Sequence, residues 1–211
     1  MPVLAGRSIP LARLLELGTA LGSDVPFFLF GGAAAGIGRG AELFPLPDRP
    51  SGQHPAWGVL VAPGLPVSTA DAYRSLSPRL TTKSQENKIF SFQSFVWDRG
   101  VSGTGCNDFE EIVFERHSRL AMWKQRLKEV GACSALMSGS GSAIFGLFSG
   151  GATARKRFRG TLSKLNKDRL RDERIFRFSL VSQARYRSMW WRALEEHIDQ
   201  KTWPPRSRSA R

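Results

Sequence analysis

Apolar residues recur at helical spacing near the start of the chain. They are Leu11, Leu14, Leu15, Leu17 and Leu21. This spacing places them on one face and predicts an amphipathic helix over residues 10–21. Pro10 suits the first turn of that helix, and Gly22 suits its C-terminal end.

The next segment is apolar, aromatic and rich in glycine. Residues 27–30, FFLF, have the composition of a strand, and the passage GGAAAGIGRG that follows predicts strand and turn with tight backbone. Four prolines then fall within eleven residues, at positions 45, 47, 50 and 55. They predict a linker over residues 45–55 and a domain boundary there.

Beyond residue 55, short apolar runs alternate with amphipathic segments. We predict strands at residues 57–62, 134–137, 143–148 and 175–180. We predict helices at residues 70–76, over NDFEEIVF with Asn107 or Asp108 as the cap, at 118–130 and at 151–164. Residues 77–104 are polar and serine-rich and indicate a long loop or short helices. The pattern is that of an α+β domain, followed by a basic tail over residues 183–211 that we expect to be flexible.

The net charge of +13 raises the question of a polyanionic partner. The excess lies late in the chain, since residues 155–187 hold 12 Lys or Arg and only three acids. Such a region can bind nucleic acid or another polyanion, but a solvated helix face or a basic tail without a ligand is the more common case, so we do not expect a nucleic-acid partner. The longest apolar stretch, residues 25–37, is too short to span a bilayer, and no basic-then-apolar leader opens the chain, so we expect a cytoplasmic protein.

One carboxylate is a candidate for chemistry. Asp24 lies between the end of the first predicted helix and the apolar run that follows it. A carboxylate held there could orient a substrate hydroxyl or accept its proton. The alternative is an aspartate that caps a helix or closes a turn, which is common at such a position and which position alone favours.

A second candidate is the SGSGS segment, residues 138–142. Its small residues could let backbone N–H groups converge on an anion, or it could be a simple hairpin turn. It is neither a Walker loop nor a dinucleotide fingerprint, because no Gly-Lys-Ser/Thr and no helix follow it. The three histidines, His54, His117 and His197, have no partner at ligand spacing, so we predict no metal site from them.

Four segments occur together in a characteristic order. They are GSDVPFFLFGGAAAGIGRGAELFPLP, WGVLVAPGLPVSTADAYRSL, GCNDFEEIVFERH and ACSALMSGSGSAIFGLF. In this order they resemble the GHMP kinases, and within that family the kinases that phosphorylate a cytidine diphosphate-linked methylerythritol in non-mevalonate isoprenoid synthesis. The resemblance implies an ATP- and Mg²⁺-dependent small-molecule kinase. It implies that Asp24 is the catalytic aspartate and that Thr69 lies near the substrate. The glycine-rich motif beside the active site would be Gly139, Ser140, Gly141 and Ser142.

The resemblance also implies a domain arrangement. Residues 1–55 would be a remnant of the N-terminal kinase domain, and residues 56–182 a ferredoxin-like C-terminal domain. The family's lysine motif and phosphate loop, which come first in its members, do not occur in this sequence. Because phosphoryl transfer depends on positioning and charge stabilisation, we expect a truncated chain of low or no activity. The alternative is a non-catalytic C-terminal domain that binds a polyanion or a partner chain through its basic tail.

Overall fold

The computed structural model describes residues 2–37, 42–46, 55–80, 106–149 and 154–209. Most of the linker at 45–55 and of the serine-rich stretch at 77–104 lies outside these residues. The chain forms two compact units. One is Met1–Arg49 together with Val181–Arg211, and the other is Pro50–Leu180. The division into domains at residue 55 stays a prediction.

The first unit begins with the helix that the leucine spacing predicts. Helix α1 spans Leu11–Leu21, and the N–H of Gly22 donates to the carbonyl of Gly18 at its end. After a second short helix, strands β1 (Ala34–Ile37) and β2 (Glu42–Pro45) form an antiparallel hairpin. The prediction of the first helix is confirmed, as is that of strand and turn in the glycine-rich passage as far as residue 37.

The prediction of a strand at FFLF is wrong. Helix α2 spans Val25–Phe30, with Pro26 in its first turn and Gly31 at its C-terminal cap. Proline is pre-organised for a first helical turn, and Gly31 has a φ of +68°, which ends the helix. These two end signals outweigh the strand preference of the aromatic residues, because that preference is weak and depends on context.

The expectation of a flexible tail is also wrong for residues 183–209. Helix α7 spans Gln183–Ala193, and the hydroxyl of Ser182 caps it by accepting from the N–H of Arg185. A 3₁₀ turn follows at Glu195–His197, and residues 198 and 207 form an antiparallel bridge. Leu194 and Ile198 are buried together with Val3. Charge and terminal position suggested flexibility, but the apolar residues of this segment have a surface to bury against.

The second unit is a four-stranded antiparallel sheet with helices. Its strands are β3 (Pro55–Ala62), β4 (Ser134–Met137), β5 (Ile144–Ser149) and β6 (Arg174–Phe178). Its helices are α3 (Thr69–Leu80), α4 (Phe109–Arg116), α5 (Ser118–Glu129) and α6 (Ala154–Lys167). The strands lie in the order β4-β5-β3-β6, and every pair is antiparallel. This order is the ferredoxin-like arrangement, so the predicted α+β fold is confirmed.

The core of this unit lies between the sheet and the helices. Alternate residues of β3, Val59 and Val61, are fully buried, as period-two strands require. Helix α5 contributes Leu120, Trp123 and Leu127 at helical spacing, all with no exposed surface. Burying each side chain of this size stabilises the fold by roughly 1.5–3 kcal/mol.

A buried carboxylate joins α5 to the turn before β6. Glu173 is 1% exposed, and its oxygens accept hydrogen bonds from Nε and Nη2 of Arg119 at 2.8 and 2.7 Å. The indole of Trp123 and the N–H of Leu170 also donate to it, each at 2.8 Å. Burial by itself would raise the pKa of Glu173, but these donors outweigh it and lower the pKa from 4.5 to about 2.

Candidate active site

The glycine-rich turn joins β4 to β5. The N–H of Ser138 donates to the carbonyl of Ala143 at 2.8 Å, and that of Gly141 donates to the carbonyl of Ser138 at 3.0 Å. Gly139 and Gly141 have φ values of +57° and +95°, which favour glycine. The segment is therefore a hairpin turn with a tight backbone.

The hydroxyl of Ser140 meets a residue from another predicted site segment. Its Oγ lies 2.8 Å from Oγ1 of Thr69, and either group can donate the hydrogen bond. Thr69 is the first residue of α3, directly after the PGLPVS loop. The fold thus brings together two segments that the sequence marked separately.

Asn107 holds the turn from outside the sheet. Its Nδ2 donates to the carbonyls of Met137 and Gly139 at 2.9 and 2.8 Å. Its Oδ1 accepts from the N–H of Phe109 at 3.0 Å, at the start of α4. One amide side chain therefore ties the beginning of a helix to the beginning of the turn.

Glu110 completes this attachment. It is 8% exposed, and its Oε1 accepts the N–H of Met137 at 2.7 Å while Oε2 pairs with Lys124. β4 is an edge strand, so the N–H and carbonyl of Met137 on its outer side need partners. Glu110 and Asn107 supply them.

The NDFEE pattern predicted only the start of a helix, so this function of Asn107 and Glu110 was not predicted. The available signal was an acid on the buried face of a helix, at Glu110 three residues before Val113.

A cavity of about 400 Å³ lies in the first unit and one of about 200 Å³ in the second. The smaller one lies between the start of α3 and the end of α4. Its polar lining comes from Ser68, Asp71, Arg116 and His117. Arg116 is held by a hydrogen bond from its Nη2 to the hydroxyl of Ser75 at 3.0 Å. This cavity therefore presents groups that can bind a polar ligand.

Asp24 belongs to the first unit, whereas Thr69 and the glycine-rich turn belong to the second. It occupies the N-cap position of α2, and its side chain is exposed and makes no capping hydrogen bond. The position therefore fits the capping alternative, but the bond that would define a cap is absent. The catalytic role of Asp24 stays a prediction.

Among the described residues, no group of three or more His, Cys, Asp or Glu could hold a metal ion. In the same part of the chain, no helix is long and apolar enough to cross a membrane.

Comparison with known proteins gives a consistent set of relatives. Residues 98–162 match the family described as GHMP kinases C terminal. The chain is 53% identical over 212 aligned residues to a 4-diphosphocytidyl-2-C-methyl-D-erythritol kinase of Solibacter usitatus, covering 99% of this chain and 63% of that one. It is 42% identical to the kinase of the same name from Geobacter metallireducens, over 72% of this chain and 51% of the relative. The chain thus spans between half and two thirds of the length of these curated relatives.

Solved structures agree with this set. A crystal structure of 4-(cytidine 5'-diphospho)-2C-methyl-D-erythritol kinase superposes with a TM-score of 0.55 at 31% identity, over 78% of this chain and 55% of that one. A homoserine kinase from Cytophaga hutchinsonii superposes with a TM-score of 0.52 at 18% identity, over 84% of this chain and 60% of that one, and shows the fold alone.

Proposed function

Residues 98–162 match the GHMP kinases C-terminal family, and from that match we propose that the chain acts in the ATP-dependent phosphorylation of the 2-hydroxyl of 4-diphosphocytidyl-2-C-methyl-D-erythritol. The observation that carries the proposal is the 53% identity to the Solibacter kinase over 99% of this chain. Identity at this level along nearly the whole chain supports a shared substrate as well as a shared fold. The product would serve isoprenoid precursor synthesis in the cytoplasm.

In this proposal Asp24 acts on the attacking hydroxyl. The substrate oxygen forms a bond to the γ-phosphorus of ATP, the bond from that phosphorus to the bridging oxygen breaks, and ADP leaves. The Asp24 carboxylate orients the hydroxyl and accepts its proton as the new bond forms. Its exposure and lack of a capping bond leave it available for that contact.

The Thr69–Ser140 contact supports a second proposed role. In this proposal the turn of Gly139–Ser142 borders the transferred phosphoryl group and Thr69 borders the substrate. The hydrogen bond between the two hydroxyls would keep both in one place. Positioning of this kind carries most of the catalysis of phosphoryl transfer.

The nucleotide and metal are not assigned to a set of residues. The described residues do not form a metal site among themselves, and the lysine motif and phosphate loop typical of the family do not occur in the 211-residue sequence. Mg²⁺ would neutralise phosphate charge during transfer. The proposal names no Mg²⁺ ligand among the described residues.

The proposal is tested by measuring ADP release and phosphorylated product with the cytidine substrate. Two proteins are compared. They are the purified 211-residue chain, and the same chain joined to the part of the Solibacter kinase that it does not cover. We expect turnover in the joined protein and little or none in the chain alone. Absence of turnover in both would contradict the proposed function.

The role of Asp24 is tested in the same assay. Asp24→Asn should lower turnover about 100-fold or more, the scale of a lost proton acceptor. Asp172→Asn, which removes an exposed carboxylate of the second unit, is the control and should retain turnover. Full turnover in the Asp24→Asn protein would show that another group acts on the hydroxyl.

A further inference from the structure

We propose that the C-terminal segment of the chain, residues 183–209, is a positioning element for α2 and therefore for Asp24. The link to catalysis rests on the proposed function. The link to α2 rests on contacts within the first unit. Tyr186 and Trp203 are the residues that make these contacts.

The contacts fall on the carbonyls that a helix end leaves unpaired. The last four carbonyls of any α-helix lack a partner within the helix. In α2 the carbonyl of Phe27 is taken by the N–H of Gly31 at 3.2 Å. The next carbonyl, of Phe28, accepts the hydroxyl of Tyr186 at 2.5 Å, and the one after it, of Leu29, accepts the indole N–H of Trp203 at 2.9 Å. The C-terminal segment thus caps α2 with two side chains.

The two glycines after α2 leave room for this cap. A Cβ on Gly31 would lie 2.0 Å from Cδ1 of Tyr186, and a Cβ on Gly32 would lie 2.9 Å from Cβ of Gln183. Their φ values of +68° and +77° also suit glycine. Glycine after Phe30 therefore allows α7 to pack closely against the end of α2, although α7 lies more than 150 residues further along the chain.

The capping side chains are themselves held. The rings of Tyr186 and Trp203 meet edge to face with centroids 6.3 Å apart, and the guanidinium of Arg187 lies 5.3 Å from the centre of the Trp203 ring. The burial of Leu194 with Val3 anchors the end of α7 to the start of the chain. Side chains fixed in this way lose little entropy when they bind α2.

Asp24 depends on this anchoring because α2 is short. A helix of six residues is about 9 Å long and does not hold its shape in isolation. Asp24 is the N-cap residue of α2, so the position of its backbone follows the position of α2. Release of the C-terminal end of α2 would let that position vary, and a displacement of about 1 Å can lower a rate by about 100-fold.

The capping of α2 by Tyr186 and Trp203 is tested by amide hydrogen exchange on the full chain. Tyr186→Phe and Trp203→Phe each remove one donor and keep an aromatic ring. Trp191→Phe is the matched control, because the Trp191 indole donates to Thr202 at 3.3 Å within the same segment and not to α2. We expect exchange at Leu29, Phe30 and Gly31 to become about fivefold faster in each of the first two variants, the scale of one lost hydrogen bond. Unchanged exchange in the double variant would overturn the proposal.

The kinetic test separates positioning from general stability. In the assay of the proposed function, Tyr186→Phe and Trp203→Phe should lower kcat about tenfold with KM for both substrates unchanged, while Trp191→Phe leaves kcat unchanged. Faster exchange with unchanged kcat would overturn the positioning role. If the joined protein without substitutions shows no turnover, the proposed function has failed, and the exchange experiment on the 211-residue chain still decides whether Tyr186 and Trp203 hold α2.

Discussion

The side-chain oxygens of Thr69 and Ser140 lie 2.8 Å apart, although 71 positions separate the two residues in the sequence. Thr69 begins a helix, and Ser140 lies in a turn between two strands. Both positions belong to segments that resemble the GHMP kinases. Because the two side chains share a hydrogen bond, a substitution at one residue should change the position of the other.

Replacement of Thr69 by Val tests this contact. The variant keeps the shape of the side chain but removes the hydroxyl, so Ser140 loses its partner. Because the pair is exposed, the free energy of unfolding should fall by only about 0.5–1 kcal/mol. Turnover should fall about tenfold, since the substitution frees a group that positions the reaction. Thr19→Val removes a hydroxyl that bonds only to Leu15 within α1, and it should retain turnover. Equal turnover in the two variants would argue against a role for the pair.

Asn107 should contribute to stability through its amide group. Asn107→Asp keeps an acceptor for the N–H of Phe109 but removes both donors and brings a carboxylate against the carbonyls of Met137 and Gly139. We expect the free energy of unfolding to fall by about 2–3 kcal/mol, as measured by urea titration. Asn166→Asp makes the same chemical change at an exposed position of α6 and should cost about 0.5 kcal/mol or less. Equal losses in the two variants would show that Asn107 does not hold the turn.

The two glycines of the turn should differ in their tolerance of alanine. Gly139 has a φ of +57°, and a Cβ there would have no neighbour within 4 Å, so Gly139→Ala should cost about 1 kcal/mol of stability. Gly141 has a φ of +95°, and a Cβ there would lie 2.8 Å from the sulfur of Met137, so Gly141→Ala should cost about 2–3 kcal/mol. Thermal unfolding of both variants measures the difference. The reverse order would contradict this description of the turn.

Stability should fall in acid because of Glu173. The pKa of this group is lowered from 4.5 to about 2 in the folded protein, so its contribution is complete above pH 4.5. Between pH 4.5 and 2 the unfolded chain binds a proton that the folded chain does not, and the free energy of unfolding should fall by about 3 kcal/mol. Urea titrations at pH 7, 5 and 3 measure this loss.

Two variants locate the source of that acid sensitivity. Glu173→Gln should be less stable at pH 7, because Arg119 and Trp123 lose an ionised partner, and it should show a smaller loss between pH 5 and 3. Glu129→Gln, at an exposed ion pair with Arg126, should follow the unaltered protein. An unchanged acid profile in Glu173→Gln would assign the sensitivity to other carboxylates.

Periodicity in the sequence was a good guide to most elements. The leucine spacing predicted α1 and placed its end at Gly22, and the short apolar runs predicted the four strands of the second unit. It failed at FFLF, where Pro26 and Gly31 favour a helix that is too short to show a periodic pattern. The prediction for the tail also failed, because it rested on charge and terminal position, whereas Leu194 and Ile198 are buried against Val3.

The sequence alone determined most of the helices and strands, the resemblance to the GHMP kinases, and the candidates Asp24, Thr69 and Gly139–Ser142. These depend on local spacing and residue type, which can be read within a few turns of helix or strand. Only the tertiary structure decided that Thr69 meets Ser140, that Asn107 and Glu110 hold the turn, and that Tyr186 and Trp203 cap α2. The physical reason is that these bonds join residues from 27 to 174 positions apart, and the burial of apolar surface brings them together.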